Sequence, residues 1–337
     1  MTPNSGKKRI LPVFVPHLGC PKNCVFCNQR RISGQTAPVT AETVRRVLQD
    51  AELSGQTYEL AFYGGSFTAI PPSEQERLLG AALPFMHSGL LDGIRVSTRP
   101  DAVDDAAIDL LKRYGVSTVE LGAQSMRDSV LEASGRGHSA EDTRRASRLL
   151  KARGFSLILQ MMTGLPGDDD EGALYTAREF IALRPGGVRI YPTVVIKDTE
   201  LYDMWRAGSY KEHTLEDALR IGSRLFPLFE EAGIPVIRFG LNPSDELSAG
   251  DAAAGAYHPA LGELVYSRVM LCRARELISE REFPPKSRIE LGVNIRDISR
   301  MCGQHRENIR ILESEFDLSC LKIRAIETVR GNIKLIS

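Results

Sequence analysis

The chain has 337 residues, 43 Lys+Arg against 43 Asp+Glu, and 42% hydrophobic residues. That length accommodates one barrel-sized domain plus a small appendage, and a net charge of zero excludes wholesale wrapping of nucleic acid while leaving room for a local basic face. No apolar stretch reaches membrane-spanning length, the run behind Lys7, Lys8 and Arg9 is short and lacks a small-residue cleavage site, and six cysteines, three of them in one loop, suit a reducing compartment, so a cytoplasmic protein is expected.

In chain order, short β-branched or aromatic runs alternate with helical stretches, the pattern of a parallel α/β sheet. Strand Ile10–Val15 is followed by helix Thr40–Leu53, strand Glu59–Tyr63, helix Ser73–His87, strand Ile94–Thr98 and helix Asp104–Tyr114. Strand Ser117–Leu121, helix Ala140–Arg153, strand Leu157–Met162, helix Asp170–Leu183, strand Val188–Tyr191, helix Leu215–Ala232 and strand Val236–Phe239 complete the series. Thr40 is a fair N-cap, although Thr43 gives no full capping box. Gly115, Gly154 and Gly233 stand where C′ glycines end helices, and Asp168–Glu171 reads as an acidic helix start favoured by the helix dipole. About six βα units predict an α/β fold, a partial TIM-like (β/α)6 barrel over residues 1–240. A helical and loop extension is expected over 241–283, and a small α+β unit over 284–337, opening near Pro284 and Pro285.

Three cysteines, Cys20, Cys24 and Cys27 in G-C-P-K-N-C-V-F-C, directly follow the first strand. Three thiolates at that spacing suit three corners of an iron–sulfur cube, leaving the fourth iron open. The competing reading of the loop alone is a structural zinc site with His17 as fourth ligand. In barrels, chemistry sits at the C-terminal ends of the strands. Four further clusters fall there: Gly64-Gly65-Ser66, Ser97-Thr98-Arg99-Pro100, Glu120 with Gln124, and Gln160 to Pro166.

The order of F-Y-G-G-S-F, S-T-R-P-D, V-E-L-G-A-Q-S, G-R-G-H-S-A-E-D, M-M-T-G-L-P-G and Y-P-T-V-V-I-K-D-T-E-L-Y-D-M-W resembles the radical S-adenosylmethionine (radical SAM) superfamily. The resemblance is greatest to the radical SAM domain of the Elongator catalytic subunit and more distant to oxygen-independent coproporphyrinogen oxidase. It spans about Ile10 to Phe239. It implies a [4Fe–4S] cluster on Cys20, Cys24 and Cys27, with S-adenosylmethionine on the open iron. Reductive cleavage of the sulfonium C–S bond then yields a 5′-deoxyadenosyl radical that abstracts hydrogen from a substrate. An external low-potential electron donor of flavodoxin or ferredoxin type follows as a partner.

The same resemblance implies a cofactor-binding set. Gly64 and Gly65, followed by Ser66, leave backbone open beside the methionine amine because no Cβ blocks approach. Gln124 matches a ribose-contacting glutamine, and Glu120 stands at the same strand end. Arg136 matches an arginine that holds the methionine carboxylate, and Arg99 is a second candidate for that carboxylate. Phe26 is placed near adenine. Ser97 replaces a glutamate of both relatives, and Gln160 replaces an aspartate or a histidine, so neither brings a carboxylate.

Cys272, Cys302 and Cys320 are widely spaced and read as buried thiols rather than a second cluster. Tyr257 and His258, in G-A-Y-H-P, read as a loop pair with structural hydrogen bonds, the alternative being a substrate mouth or proton relay. The tail M-C-G-Q-H-R-E-N-I-R-I-L-E-S-E-F-D-L-S-C-L-K-I-R resembles a KH nucleic-acid-binding domain. Asn308, Ile309, Leu312 and Phe316 are expected to face its core. Gly303 stands as the first glycine of the G-x-x-G turn that clamps backbone in such modules, and Arg306 replaces the second. Arg296, Arg300, Arg306 and Arg310 are expected to share one face that meets phosphate; a solvated face of a structural domain is the alternative.

The Elongator subunit modifies the wobble uridine of tRNA and carries an acetyltransferase domain that this chain is too short to contain, so the same overall reaction is not implied. The expected function is a radical SAM enzyme acting on RNA, with tRNA foremost. A small tetrapyrrole-like metabolite is the alternative substrate, and a non-catalytic cluster-bearing RNA-binding or sensor protein is the third reading.

Overall fold

The computed structural model describes residues 9–15, 20, 24–28, 38–241 and 250–336. Seven strands form one all-parallel sheet in sequential order: β1 (Ile10–Phe14), β2 (Tyr58–Tyr63), β3 (Leu91–Thr98), β4 (Val116–Gln124), β5 (Ser156–Thr163), β6 (Gly187–Pro192) and β8 (Val236–Phe239). Between β6 and β8 lies β7 (Val194–Ile196), which leaves the sheet and pairs antiparallel with β9 (Ala252–Gly255). The connecting helices are α1 (Ala41–Glu52), α2 (Pro72–Gly80), α3 (Leu83–His87), α4 (Asp105–Arg113), α5 (Asp128–Ala133), α6 (Ala140–Ala152), α7 (Asp170–Leu183), α8 (Glu200–Arg206) and α9 (Leu215–Glu231). Six βα units closed by β8 make a curled half-barrel, the α/β architecture expected.

Helix α1 shows why these segments fold locally. Ala41, Val44, Leu48 and Ala51 fall on one stripe and are all buried against the sheet. Its start corrects one expectation. Thr43 N–H donates to Thr40 Oγ1 at 3.2 Å, and Thr40 N–H donates back to Thr43 Oγ1 at 3.3 Å. The threonine hydroxyl does what a Glu side chain does in a capping box. The helix expected over Ser73–His87 is two helices, α2 and α3, with Pro84 in the first turn of the second. A proline inside a continuous helix would lack its N–H and clash with the preceding turn, so the chain restarts there.

The main core lies between the sheet and its helices, around fully buried Leu48, Phe62, Phe67, Phe180 and Phe229. A second core lies under a mixed sheet in which β10 (Arg288–Val293) pairs parallel with β11 (Cys320–Ala325) and antiparallel with β12 (Ile333–Leu335). Helices α11 (Ile298–Cys302) and α12 (Glu307–Glu315) cover one side of it, giving the strand, helix, turn, helix, strand, strand order read from the tail. Asn308, Ile309 and Leu312 are buried, and Phe316 packs at the edge of this core. The 19-residue helix α10 (Leu261–Ser279) joins the two cores. Leu261 and Val265 belong to the first, while Met270, Leu271, Ala274 and Ile278 belong to the second. This helix thus contributes side chains to both cores. Among the described residues no helix is long and apolar enough to cross a membrane.

Candidate active site

A cavity of about 450 Å3 opens at the C-terminal ends of the strands. Its lining brings together residues that are far apart in sequence. Cys20, Cys24, Phe26 and Cys27 come from the loop after β1; Gly64 and Gly65 follow β2; Ser97 and Arg99 close β3. Gln124 ends β4, Arg136 follows α5, and Gln160 projects from β5. Eleven of the thirteen cluster and cofactor positions named from sequence therefore meet in one space; Ser66 and Glu120 do not line it.

The cysteine loop is held from two sides. Val25 N–H donates to Ser134 O at 3.2 Å, and Leu201 N–H donates to Val25 O at 2.8 Å. Val25 and Phe26 pack with Val195, Leu201 and Trp205, so Phe26 both anchors the loop and faces the cavity. Cys24 is buried, whereas Cys20 and Cys27 are half-buried. None of the six cysteines forms a disulfide. Among the described residues no three His, Cys, Asp or Glu side chains converge on a point that a single metal ion could occupy. A cube offers a separate iron to each thiolate, so its ligands surround a volume. His17, the fourth ligand of the zinc reading, lies outside the described residues.

Opposite the loop, Arg136 donates from Nη1 to Cys24 Sγ at 3.2 Å and from Nη2 to Gly122 O at 2.6 Å. Arg99 binds Asp101 through Nε and Nη2, and its Nη2 also reaches Arg136 O at 2.7 Å. Arg99 Nη1, Arg136 Nε, Ser97 Oγ and Gln124 Oε1 are buried and have no hydrogen-bond partner among the described residues. Gln124 sits at φ 67°, where a register shift interrupts the pairing of β4 with β5. A non-glycine residue held in the left-handed region next to a bulge is a strained feature of the kind that gathers at functional sites. Gly64 and Gly65 take φ 77° and 62°, the turn that glycine makes without strain.

Ser66 and Glu120 serve from behind. Ser66 is fully buried, bonds Thr98 Oγ1 at 2.9 Å and accepts from Arg99 N–H at 3.2 Å, which sets the turn carrying Arg99. Glu120 is fully buried between Arg95, at 2.5 Å, and Arg189, at 2.9 Å, and it accepts from Gln160 Nε2 at 3.0 Å. Arg95 also pairs with Glu59 at 2.7 Å. Two arginines against two glutamates make this inner layer neutral. Burial opposes the charge on Arg189, but the Glu120 carboxylate offsets it, and the net shift is upward. Arg189 Nη2 donates to Tyr63 OH at 3.0 Å, and burial with the nearby Glu120 charge pushes the Tyr63 hydroxyl up. Arg189, Tyr63, Tyr191 and Arg238 also line the cavity. Sequence reading missed this layer. Its signal was a charged residue inside four of the apolar strands, Glu59, Arg95, Glu120 and Arg189, at positions that β-alternation turns inward.

Other named residues lie elsewhere. His258 Nδ1 accepts from Ala260 N–H at 3.1 Å, and Tyr257 packs beside Val194 and Ile196, which is the structural reading of that loop. Cys302 packs against the second core, and burial raises its thiol pKa. Arg306 and Arg310 are exposed, and so is Arg296. Arg300 is not presented in the same way. It pairs with Glu263 at 2.8 Å, lies 4.1 Å over the Tyr266 ring and has an 18% exposed side chain. A Cβ at Gly303 would stand 3.0 Å from Asn308, so the turn is packed against its own domain.

Similarity to known proteins agrees with this geometry. The chain matches the family model described as the radical SAM superfamily over residues 14–180 and the radical SAM C-terminal domain over residues 185–270. The tRNA uridine(34) acetyltransferase of Methanocaldococcus jannaschii is 34% identical over 174 residues, which cover 51% of this chain and 31% of that protein. The Elongator complex protein 3 of Mus musculus is 26% identical over 250 residues, 68% of this chain and 45% of that protein. The solved structure of archaeal Methanocaldococcus infernus Elp3, lacking N-terminal residues 1–46, matches with a TM-score of 0.61 at 26% identity, covering 79% of this chain and 63% of that one. The chain thus spans less than half the length of these two curated relatives. Members of the matched superfamily bind a [4Fe–4S] cluster and S-adenosylmethionine. With both family models in register along the half-barrel and its rim, this chain belongs to the radical SAM superfamily of enzymes.

Proposed function

We propose that Cys20, Cys24 and Cys27 hold a [4Fe–4S] cluster in this cavity, that the facing polar groups hold S-adenosylmethionine, and that the substrate is RNA, with tRNA foremost. The observation that carries the cofactor reading is the set of unsatisfied buried atoms opposite the cysteines. Buried polar atoms are nearly always paired, and four without a partner among the described residues, around one cavity, ask for a polar ligand. Arg99 Nη1 and Arg136 Nε are cationic donors suited to a carboxylate. Gln124 Oε1 and Ser97 Oγ suit hydroxyl or amine donors. The glycine turn at Gly64 and Gly65 lets a ligand approach the main chain.

When bound, the cluster and S-adenosylmethionine supply an electron and a cleavable sulfonium bond, the source of a carbon radical. The protein's part is to position and to shield. Asp101 and Ser66 fix Arg99, Gly122 fixes Arg136, and the neutral layer of Glu59, Arg95, Glu120 and Arg189 gives the cavity a rigid floor. Enzymes of this class need a reductant, and a flavodoxin or ferredoxin type is proposed for this one. The RNA reading rests on relatives named for tRNA uridine modification. Its test is anaerobic reconstitution with assay of 5′-deoxyadenosine, followed by mass spectrometry of RNA from cells with and without the gene. Reductant-dependent 5′-deoxyadenosine and a modified nucleoside lost with the gene are expected. Unchanged RNA in the presence of active enzyme would remove the RNA reading and leave the cofactor reading intact.

A further inference from the structure

We infer that the open face of the C-terminal mixed sheet docks the phosphodiester backbone of RNA, an inference that rests on the RNA reading above. The pairing register decides which side chains share this face. Ile289, Leu291 and Val293 of β10 point into the second core, so Arg288, Glu290 and Gly292 point away. Parallel pairing sets Lys322 beside Glu290 and Arg324 beside Gly292, and antiparallel pairing sets Lys334 on the other flank of Gly292. Arg288, Lys322, Arg324 and Lys334 are therefore on one surface, where Glu290 is the one carboxylate among the described strand residues, and all four are exposed.

Elsewhere on the surface some arginines are matched with acids, as Arg144 is with Glu179 and Arg268 with Glu216, while Arg296, Arg306 and Arg310 form no ion pair among the described residues. On this sheet the balance fails. Among the described residues Arg288, Lys322 and Lys334 have no ion pair within 4 Å, and Arg324 reaches Glu290 only at 3.8 Å. Helices α10, α11 and α12 bury the opposite face, and no described element packs on this one. Ile326 and Ile336 lean over Gly292, where an added Cβ would meet their side-chain tips at 2.7 and 2.9 Å. The surface thus has an apolar centre flanked by cations, a match for ribose between phosphates. Charge complementarity favours an anionic backbone over a neutral partner. On the helical side expected from the KH resemblance, Glu263 already neutralises Arg300, which leaves Arg296, Arg306 and Arg310 exposed as the rival cations.

The test uses the full chain. Equilibrium binding of bulk tRNA is measured across a salt series for wild type, for K322E/R324E/K334E on the sheet, and for R306E/R310E on the helices. Because all of these side chains are exposed, the fold should survive, and K322A/K334A is a milder second variant. The sheet variant should bind at least about tenfold more weakly near 0.1 M salt, with a slope of log K against log salt shallower by roughly two to three. The helix variant should change by less than about threefold. Wild-type binding that ignores the sheet substitutions, a larger loss in the helix variant, or a loss of binding to phosphatidylserine vesicles but not to tRNA would overturn this assignment. Failure of the wild type to bind tRNA would overturn the RNA reading itself.

Discussion

Arg136 donates to the sulfur of Cys24 across 112 residues of sequence, at 3.2 Å. The contact joins the cysteine loop to the wall that carries the unsatisfied donors, so one guanidinium is shared between the cysteine sulfur and the cavity. Replacing Arg136 with Gln removes a charge-assisted donor. S-adenosylmethionine affinity should fall roughly 10- to 100-fold, as expected from a charged hydrogen bond of about 1.5–3 kcal/mol. Iron content after reconstitution should be kept. Equilibrium binding and iron analysis check the two halves, and loss of iron would reassign Arg136 to the loop alone.

Cys24→Ala should abolish visible iron–sulfur absorption and S-adenosylmethionine cleavage together, because the thiolate is the proposed ligand. Anaerobic reconstitution followed by spectroscopy and product assay measures both. Undiminished cleavage in this variant would end the ligand assignment. Gln124→Ala should instead weaken cofactor binding with the cluster absorption intact.

Glu120 is the anion between two buried arginines, Arg95 and Arg189. Glu120→Gln leaves both cations under-compensated in a buried layer and should cost about 3–5 kcal/mol of stability. Denaturant unfolding reads this directly. A change below about 1 kcal/mol would show that the layer is hydrated and not the rigid floor proposed here.

Two buried groups set opposite pH dependences. Burial and the nearby Arg136 charge lower His138 to about 4, while burial raises Asp168 to about 6. As pH falls from about 6.5 to 4, the unfolded chain protonates its histidine before the folded one does, so His138 withdraws roughly 3 kcal/mol of stability. Over about 6 to 4 the folded chain protonates Asp168 before the unfolded one does, so Asp168 returns a similar amount. These two contributions should therefore largely cancel in this window. Asp168→Asn should fall on acidification, and His138→Gln should rise. Denaturation at a series of pH values checks the signs, and parallel curves for the two variants would contradict them.

The half-barrel was legible because its cues are local. Apolar strand runs, amphipathic helices such as α1 and terminal glycines such as Gly115, at φ 74°, need only neighbouring residues to be read. The cysteine spacing and the glycine turn pointed to the cofactor class for the same reason. Tertiary structure decided what depends on distance across the sheet. It separated Ser66 and Glu120, which support the wall, from Arg99, Gln124 and Arg136, which face the cavity. It paired Arg300 with Glu263, a residue on another helix, and so removed one of the four charges that sequence assigned to an RNA face. It also gathered Arg288, Lys322, Arg324 and Lys334 from three strands onto one surface. Local order is written in periodicity and turn chemistry, whereas the partner of a charged side chain is set by strand register and helix packing, which bring together residues that no spacing rule connects.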